Sequence, residues 1–331
     1  MEIKRKVMCT STGCIEYAPE RYKKYDIDII RIHVHFKGKE YLEGLDLDPD
    51  AFYKELEVLE DAKNNLPKTA MPSPERIREH FQKAYDDGYR EIIVIAISAY
   101  LGGTYNLIRL TAEEFADKMN IIVIDSKITC FGEGMLAIKA AEMIEKGIPT
   151  ETILKEIAWM MKHQEFLGVD AKLDYLIYNG RLKGGKALMG KMLNICPVVH
   201  FTHDGELCAL QSVRTPKKAL AKTCEILKEM IGDRDPKDYL LWHTYTGPSL
   251  LEELLRLKRS TTSTPTTKRS SPLPSADATT ALGWPATDYS SCVARMSLWN
   301  NFAYGRRQNH QGGNGRAKKG LCPVSVKTIS E

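Results

Sequence analysis

The first 163 residues alternate between two hydrophobic rhythms. IDIIRIHVHF (27–36) is rich in β-branched residues and predicts a strand that ends at the Lys37-Gly38 turn. DPDAFYKELEVLEDA then takes helical spacing, with Asp48 as cap and Pro49 in the first turn. SPERIREHFQKAYDDG (73–88) repeats that grammar: Ser73 caps, Pro74 opens, Gly88 stops. REIIVIAIS (90–98) is a continuous apolar run, as expected of a strand buried on both faces. NLIRLTAEEFADKM (106–119) reads as a helix, NIIVIDS (120–126) as a second buried strand, and GEGMLAIKAAEMIEKG (132–147) as a helix stopped by Gly147. Such alternation predicts a doubly wound, mainly parallel sheet.

From about residue 164 the pattern changes. FLGVDAKLDYLIYNGRLKGG and NICPVVHFTHDGELCALQSVR read as strands and hairpins, with Asp204-Gly205 at the centre of one turn. TPKKALAKTCEILKEMIG (215–232) is a helix with Pro216 in its first turn. The expectation is therefore an α/β chain of two lobes: an N-terminal lobe over 1–163 and an α+β lobe over 164–257. After Leu257 neither period survives. Ser, Thr and Pro dominate, so 258–331 reads as an irregular or disordered tail.

Size fits two lobes, because 331 residues exceed the usual single core. The net charge of +4 belongs to the tail. Ten basic and three acidic residues follow Lys258, which leaves 37 basic and 40 acidic before it. A slightly acidic body argues against nucleic-acid binding. No run of 18 apolar residues and no signal-like N-terminus occurs, so a cytoplasmic protein without a membrane span is expected. The eight cysteines form no CxxC pair and no zinc spacing, and read as reduced thiols rather than metal ligands.

Candidate chemistry gathers where strands of the first lobe end. Cys9-Thr10-Ser11-Thr12, LPKTAMPSP (66–74) and SAYLGGTYN (98–106) are hydroxyl-bearing loops, and ligands of open α/β sheets bind outside the carboxyl ends of the strands. Thr69, Ser98, Gly102, Gly103 and Thr104 suit an anionic group near a helix N-terminus. The same residue types also serve as caps and turns. Ser98 has no GxSxG context, and no P-loop, GxGxxG or HExxH appears. A hydrolase or phosphotransferase using Ser98 or Thr104 is the competing reading. His33 and His35 alternate on a strand and read as structural. Asp125 either binds a cation or ligand, or caps the next turn. Arg181 and Arg214 are surface or ion-pair groups, or partner contacts.

Together these segments resemble the DegV family. PKTAMPSP, AISAYLGGTYN, VIDSKITCFGEGMLAIKAAEMIEKG, LDYLIYNGRLKGGKALMGKMLNICPVVHFTHDGEL and SVRTPKKAL follow its motifs in order over residues 1–257. The resemblance implies a carrier that is not an enzyme and needs no cofactor. It would hold one long-chain fatty acid between the lobes and present the carboxylate to a fatty acid kinase subunit. It makes Thr69 and Ser98 the head-group donors, with Gly103 and Thr104 shaping the loop. This chain departs from the pattern at Ala70, Ala99 and Gly102, which replace hydroxyls, at Thr10, which replaces Asp, and at Cys196, which replaces Lys.

The family's C-terminal His-x-Gly-Pro-Gly, whose His reaches the head group, is missing. Codon constraints offer a reason. Residues 278–288, ATTALGWPATD, read one base out of frame allow Cys-His-Asn-Gly-Pro-Gly-Leu-Ala-Gly-Tyr-Gly. A frameshift near Lys258 is therefore expected to have replaced the C-terminus, and the gene's nucleotides decide it.

Overall fold

The computed structural model describes residues 3–59, 65–170, 174–185, 195–234, 239–245 and 291–297. The chain opens with β1 (Arg5–Thr10), α1 (Glu20–Lys23), β2 (Ile27–Ile30), β3 (His33–Phe36), β4 (Lys39–Leu42), α2 (Pro49–Glu57) and β5 (Lys68–Ala70). It continues through α3 (Pro74–Asp86), β6 (Glu91–Ala96), α4 (Thr104–Glu113), β7 (Asn120–Asp125), α5 (Cys130–Glu145) and α6 (Thr150–His163).

Four strands pair in the order β2-β1-β6-β7, all parallel. Their alternating side chains divide the core in two. Val7, Cys9, Ile93 and Ile95 pack under α5 and α6 with Leu136, Ile153 and Ile157. Met8, Ile92, Val94 and Ala96 pack under α3 and α4 with Ile77, Phe81, Ile108 and Phe115. Burial on both faces is why these runs are continuously apolar. The doubly wound sheet expected from the sequence is present.

The helix signals also hold. Asp48 Oδ1 accepts the Ala51 amide at 2.7 Å, Ser73 Oγ the Arg76 amide at 3.3 Å, and Thr215 Oγ1 the Lys218 amide at 3.3 Å. The stretch 27–36 differs from expectation. It divides into β2, in the parallel sheet, and β3, in a small antiparallel sheet of order β4-β3-β5. The break falls at Arg31, whose guanidinium pairs with Glu16 and donates to the Glu43 carbonyl at 2.7 Å. LPKTAMPSP is not wholly a loop either. Lys68–Ala70 pairs with β3, because the hairpin β3-β4 offers a free edge. The helix α6 is one the hydrophobic pattern did not single out.

The second sheet begins at Gln164, where the pattern changes. Its elements are β8 (Gln164–Asp170), α7 (Asp174–Tyr178), β9 (Leu182–Lys183), β10 (Cys196–Phe201), β11 (Leu207–Val213), α8 (Pro216–Ile231), β12 (Leu240–Tyr245) and β13 (Ser291–Ser297). The strand order is β12-β13-β8-β10-β11-β9. Leu167, Val169 and Val198 face α8 and its Ala219, Ile226 and Leu227. On the other face, Phe166, Val199, Phe201 and Leu207 pack with Cys14, Ile97, Leu101 and Ile128 from the carboxyl end of the parallel sheet. That apolar seam joins the two halves.

One element departs from the irregular tail expected after residue 257. β13 pairs its main chain with β8 on one side and β12 on the other. The rest of 258–331, including the segment 278–288, lies outside the described residues.

Candidate functional site

The strand order makes a switch point. From β1 the chain moves to β2 on one side, and returns to β6 on the other. The crevice between the ends of β1 and β6 is where open α/β sheets bind ligands. Thr10 ends β1, and its Oγ1 accepts the Ile97 amide at 3.1 Å. Ser98, the next residue, is fully buried.

The Ser98 hydroxyl is engaged. It donates to the Gly205 carbonyl at 2.8 Å and accepts the Tyr100 amide at 3.3 Å. Gly205 lies in the turn between β10 and β11, at φ +95°. That turn seats the second sheet on the first. A Cβ at Gly205 would stand 2.4 Å from Ser98 Oγ and 3.0 Å from Lys127 Cα, so only glycine fits. Arg181 donates to the Leu101 carbonyl at 3.2 Å and so also ties the second half to this loop. Asp125 takes the capping role: its Oδ1 accepts the amides of Ala99 and Lys127, each at 3.1 Å, and Oδ2 pairs with Lys127 at 2.7 Å.

Thr104 opens α4 and is 5% exposed, and its hydroxyl has no hydrogen bond among the described residues. Gly103 is the N-cap and offers no side chain. Thr69 is half-buried on β5, opposite Val34, and its hydroxyl is likewise unpaired. Two residues on, the Met71 sulfur would lie 2.6 Å from a Cβ at Gly103. The structure therefore brings the chain just past Thr69 against the loop of Ser98, Gly103 and Thr104. Among the described residues neither Ser98 nor Thr104 has a hydrogen bond to histidine or carboxylate of the kind that activates a hydroxyl nucleophile.

Two buried acids beside this crevice escaped the motif reading. Glu133, in the first turn of α5, is 0% exposed. It accepts from the hydroxyls of Thr10 and, at 2.8 Å, Thr12. Burial pushes its carboxyl well above the usual range, against the pull of those two hydroxyls. Glu43 follows β4 and accepts from Ser11. Burial pushes it up to about 7 despite that bond, and its Oε1 has no hydrogen-bond partner among the described residues. The signal for Glu133 was present: it is an acid on the face of a helix otherwise lined with Leu, Met and Ala.

The remaining candidates divide. His33 is mostly buried and paired with Glu40, as a structural residue would be, while His35 is exposed. Arg214 is exposed, with no hydrogen bond or ion pair among the described residues. Cys9, Cys14, Cys130, Cys196 and Cys224 are buried, and Cys208 is half-buried. Among the described residues no helix is long and apolar enough to cross a membrane. A cavity of about 360 Å³ lies beside β7, lined by Arg109, Ala112, Glu113, Met119 and Val123 among others. None of Thr69, Ser98, Gly103 or Thr104 lines it.

A family model described as an uncharacterised protein of the DegV family matches residues 4–275. The chain belongs to the DegV family. A DegV domain-containing protein of Listeria innocua is 32% identical over 233 residues, which are 70% of this chain and 80% of that protein. A solved structure titled as a fatty acid binding DegV family protein from Streptococcus agalactiae matches with a TM-score of 0.74 at 25% identity, over 90% of this chain and 100% of that one. DegV of Bacillus subtilis, titled a fatty acid binding protein, matches with a TM-score of 0.72 at 22% identity, over 90% and 100%, and supports the fold. The DegV match runs 18 residues past Leu257, where the recognisable motifs stop.

Proposed function

We propose that this DegV-family protein carries one long-chain fatty acid between its halves, with the carboxylate at the β6–α4 loop. The observation that carries the reading is the pair of unpaired hydroxyls, Thr104 and Thr69, on two segments in contact at Gly103 and Met71. Both have a hydrogen to give, and Thr104 stands in the first turn of α4, at the positive end of the helix dipole. The Ser98 hydroxyl joins them only by leaving the Gly205 carbonyl, since it has one hydrogen. The acyl chain would run along the apolar seam of Ile97, Leu101, Phe166 and Phe201. Each buried CH₂ contributes about 0.8 kcal/mol.

On this reading the protein performs no chemistry of its own. It presents the carboxylate to a fatty acid kinase subunit beside Gly103 and Tyr100, which are exposed at the mouth of the loop. Native mass spectrometry of the purified full chain tests the binding. One long-chain acid per chain is the expected result. A chain that purifies empty and takes up no added oleate would overturn the reading.

A further inference from the structure

The carboxyl of Glu133 does more than fill the core. Its first oxygen accepts from Thr10 and from the Cys9 thiol at 3.6 Å, and its second accepts from Thr12. Thr10 Oγ1 lies 2.8 Å from Thr12 Oγ1 and also accepts the Ile97 amide. One side chain of α5 is thus connected, through one hydroxyl, to the last amide before Ser98. The approach is made close by two glycines: the Gly13 carbonyl oxygen would be 2.1 Å from a Cβ at Gly134.

Among the described residues no cation pairs with Glu133. A buried carboxyl without a cation is costly, and burial pushes this one well above the usual range. Its two oxygens take the hydroxyls of Thr10 and Thr12 at once. A leucine there would be cheaper to bury but would leave the hydroxyls at the switch point without their anchor.

We propose that Glu133 is a positioning residue of the head-group loop: through Thr10 it fixes the Ile97–Ser98 backbone where that loop receives an acid's head. The proposal rests on the fatty-acid reading above. Its test uses the full chain with oleate as probe, in the variants Glu133→Gln, Glu133→Leu and Thr10→Val. Calorimetry gives oleate affinity, and nitrogen-15 NMR gives the amide shifts of Ile97 and Ser98. Glu133→Leu and Thr10→Val should each weaken oleate by about tenfold or more, the cost of an unsatisfied buried group, and shift both amides. Glu133→Gln keeps an oxygen to accept from Thr10 and offers an amide to the Thr12 oxygen, and should stay within about threefold of the parent.

Unchanged oleate affinity in folded Thr10→Val would overturn the proposal, as would Glu133→Gln being as weak as Glu133→Leu. If Glu133→Leu does not fold, Thr10→Val decides. If the parent takes no oleate, the functional reading fails, and the amide shifts judge the positioning alone. Shifts in Glu133→Leu and Thr10→Val but not in Glu133→Gln support it. Unmoved amides in all three overturn it.

Discussion

Gly205→Ala is expected to cost about 2–4 kcal/mol of stability and to weaken oleate binding by about tenfold or more. Two effects add. The backbone stands at φ +95°, a region that L residues rarely adopt. The new methyl would also meet Ser98 Oγ at 2.4 Å and Lys127 Cα at 3.0 Å. The lysine contact is main chain and cannot swing away, so the turn must lift from the loop. That breaks the bond from Ser98 to the Gly205 carbonyl and opens the seam between the halves. Urea unfolding and oleate calorimetry measure the two losses. The neighbouring Asp204 is exposed, so Asp204→Ala should change stability by no more than about 0.5 kcal/mol. Equal behaviour of the two variants would show that the turn does not seat on Ser98.

Gly134→Ala is expected to be at least as damaging, with a loss of about 3 kcal/mol or more. In most helices this change is favourable by about 1 kcal/mol, through backbone entropy alone. Here the methyl would be 2.1 Å from the Gly13 carbonyl oxygen and 3.1 Å from the carbonyl carbon and from Ile15 Cγ1. Both partners belong to the turn that follows β1, so relief requires α5 to move away. The movement would pull Glu133 off Thr10 and Thr12. The urea midpoint of the purified variant measures the loss. Gly102→Ala is the matching control, because nothing lies within 4 Å of its Cβ, and it should stay within about 0.5 kcal/mol. A Gly134→Ala protein as stable as the parent would mean that this joint is slack.

Much of the parallel sheet was legible because each of its signals is local. Continuous apolar runs marked β6 and β7, and Ser-Pro, Asp-Pro and Thr-Pro marked α3, α2 and α8. Asp-Gly marked the β10–β11 turn, though not that its glycine would seat on Ser98. What was not legible depends on tertiary partners. The division of 27–36 into two strands follows from the hold of Glu16 on Arg31, which no period reveals. The strand at Thr69 exists only because β3 offers an edge. In the site, hydroxyl loops at strand ends pointed to Ser98, Gly103 and Thr104. They could not tell a spent hydroxyl from a free one: Ser98 is satisfied, whereas Thr104 and Thr69 have no partner among the described residues. Glu133 stood out as an acid on an apolar helix face, but its partner Thr10, more than a hundred residues earlier, did not. β13 was hidden because no sustained period marks a strand after residue 257, and its place is set by pairing with β8 and β12.

A crystal structure of the full chain with oleate tests the central claim most directly. The expected result places the carboxylate at about 2.5–3.0 Å from the hydroxyl of Thr104 or Thr69. The alkyl chain should lie along Ile97, Leu101, Phe166 and Phe201 between the two sheets. Oleate lying instead in the groove of Arg109 and Val123, or with its carboxylate turned away from the β6–α4 loop, would contradict the account.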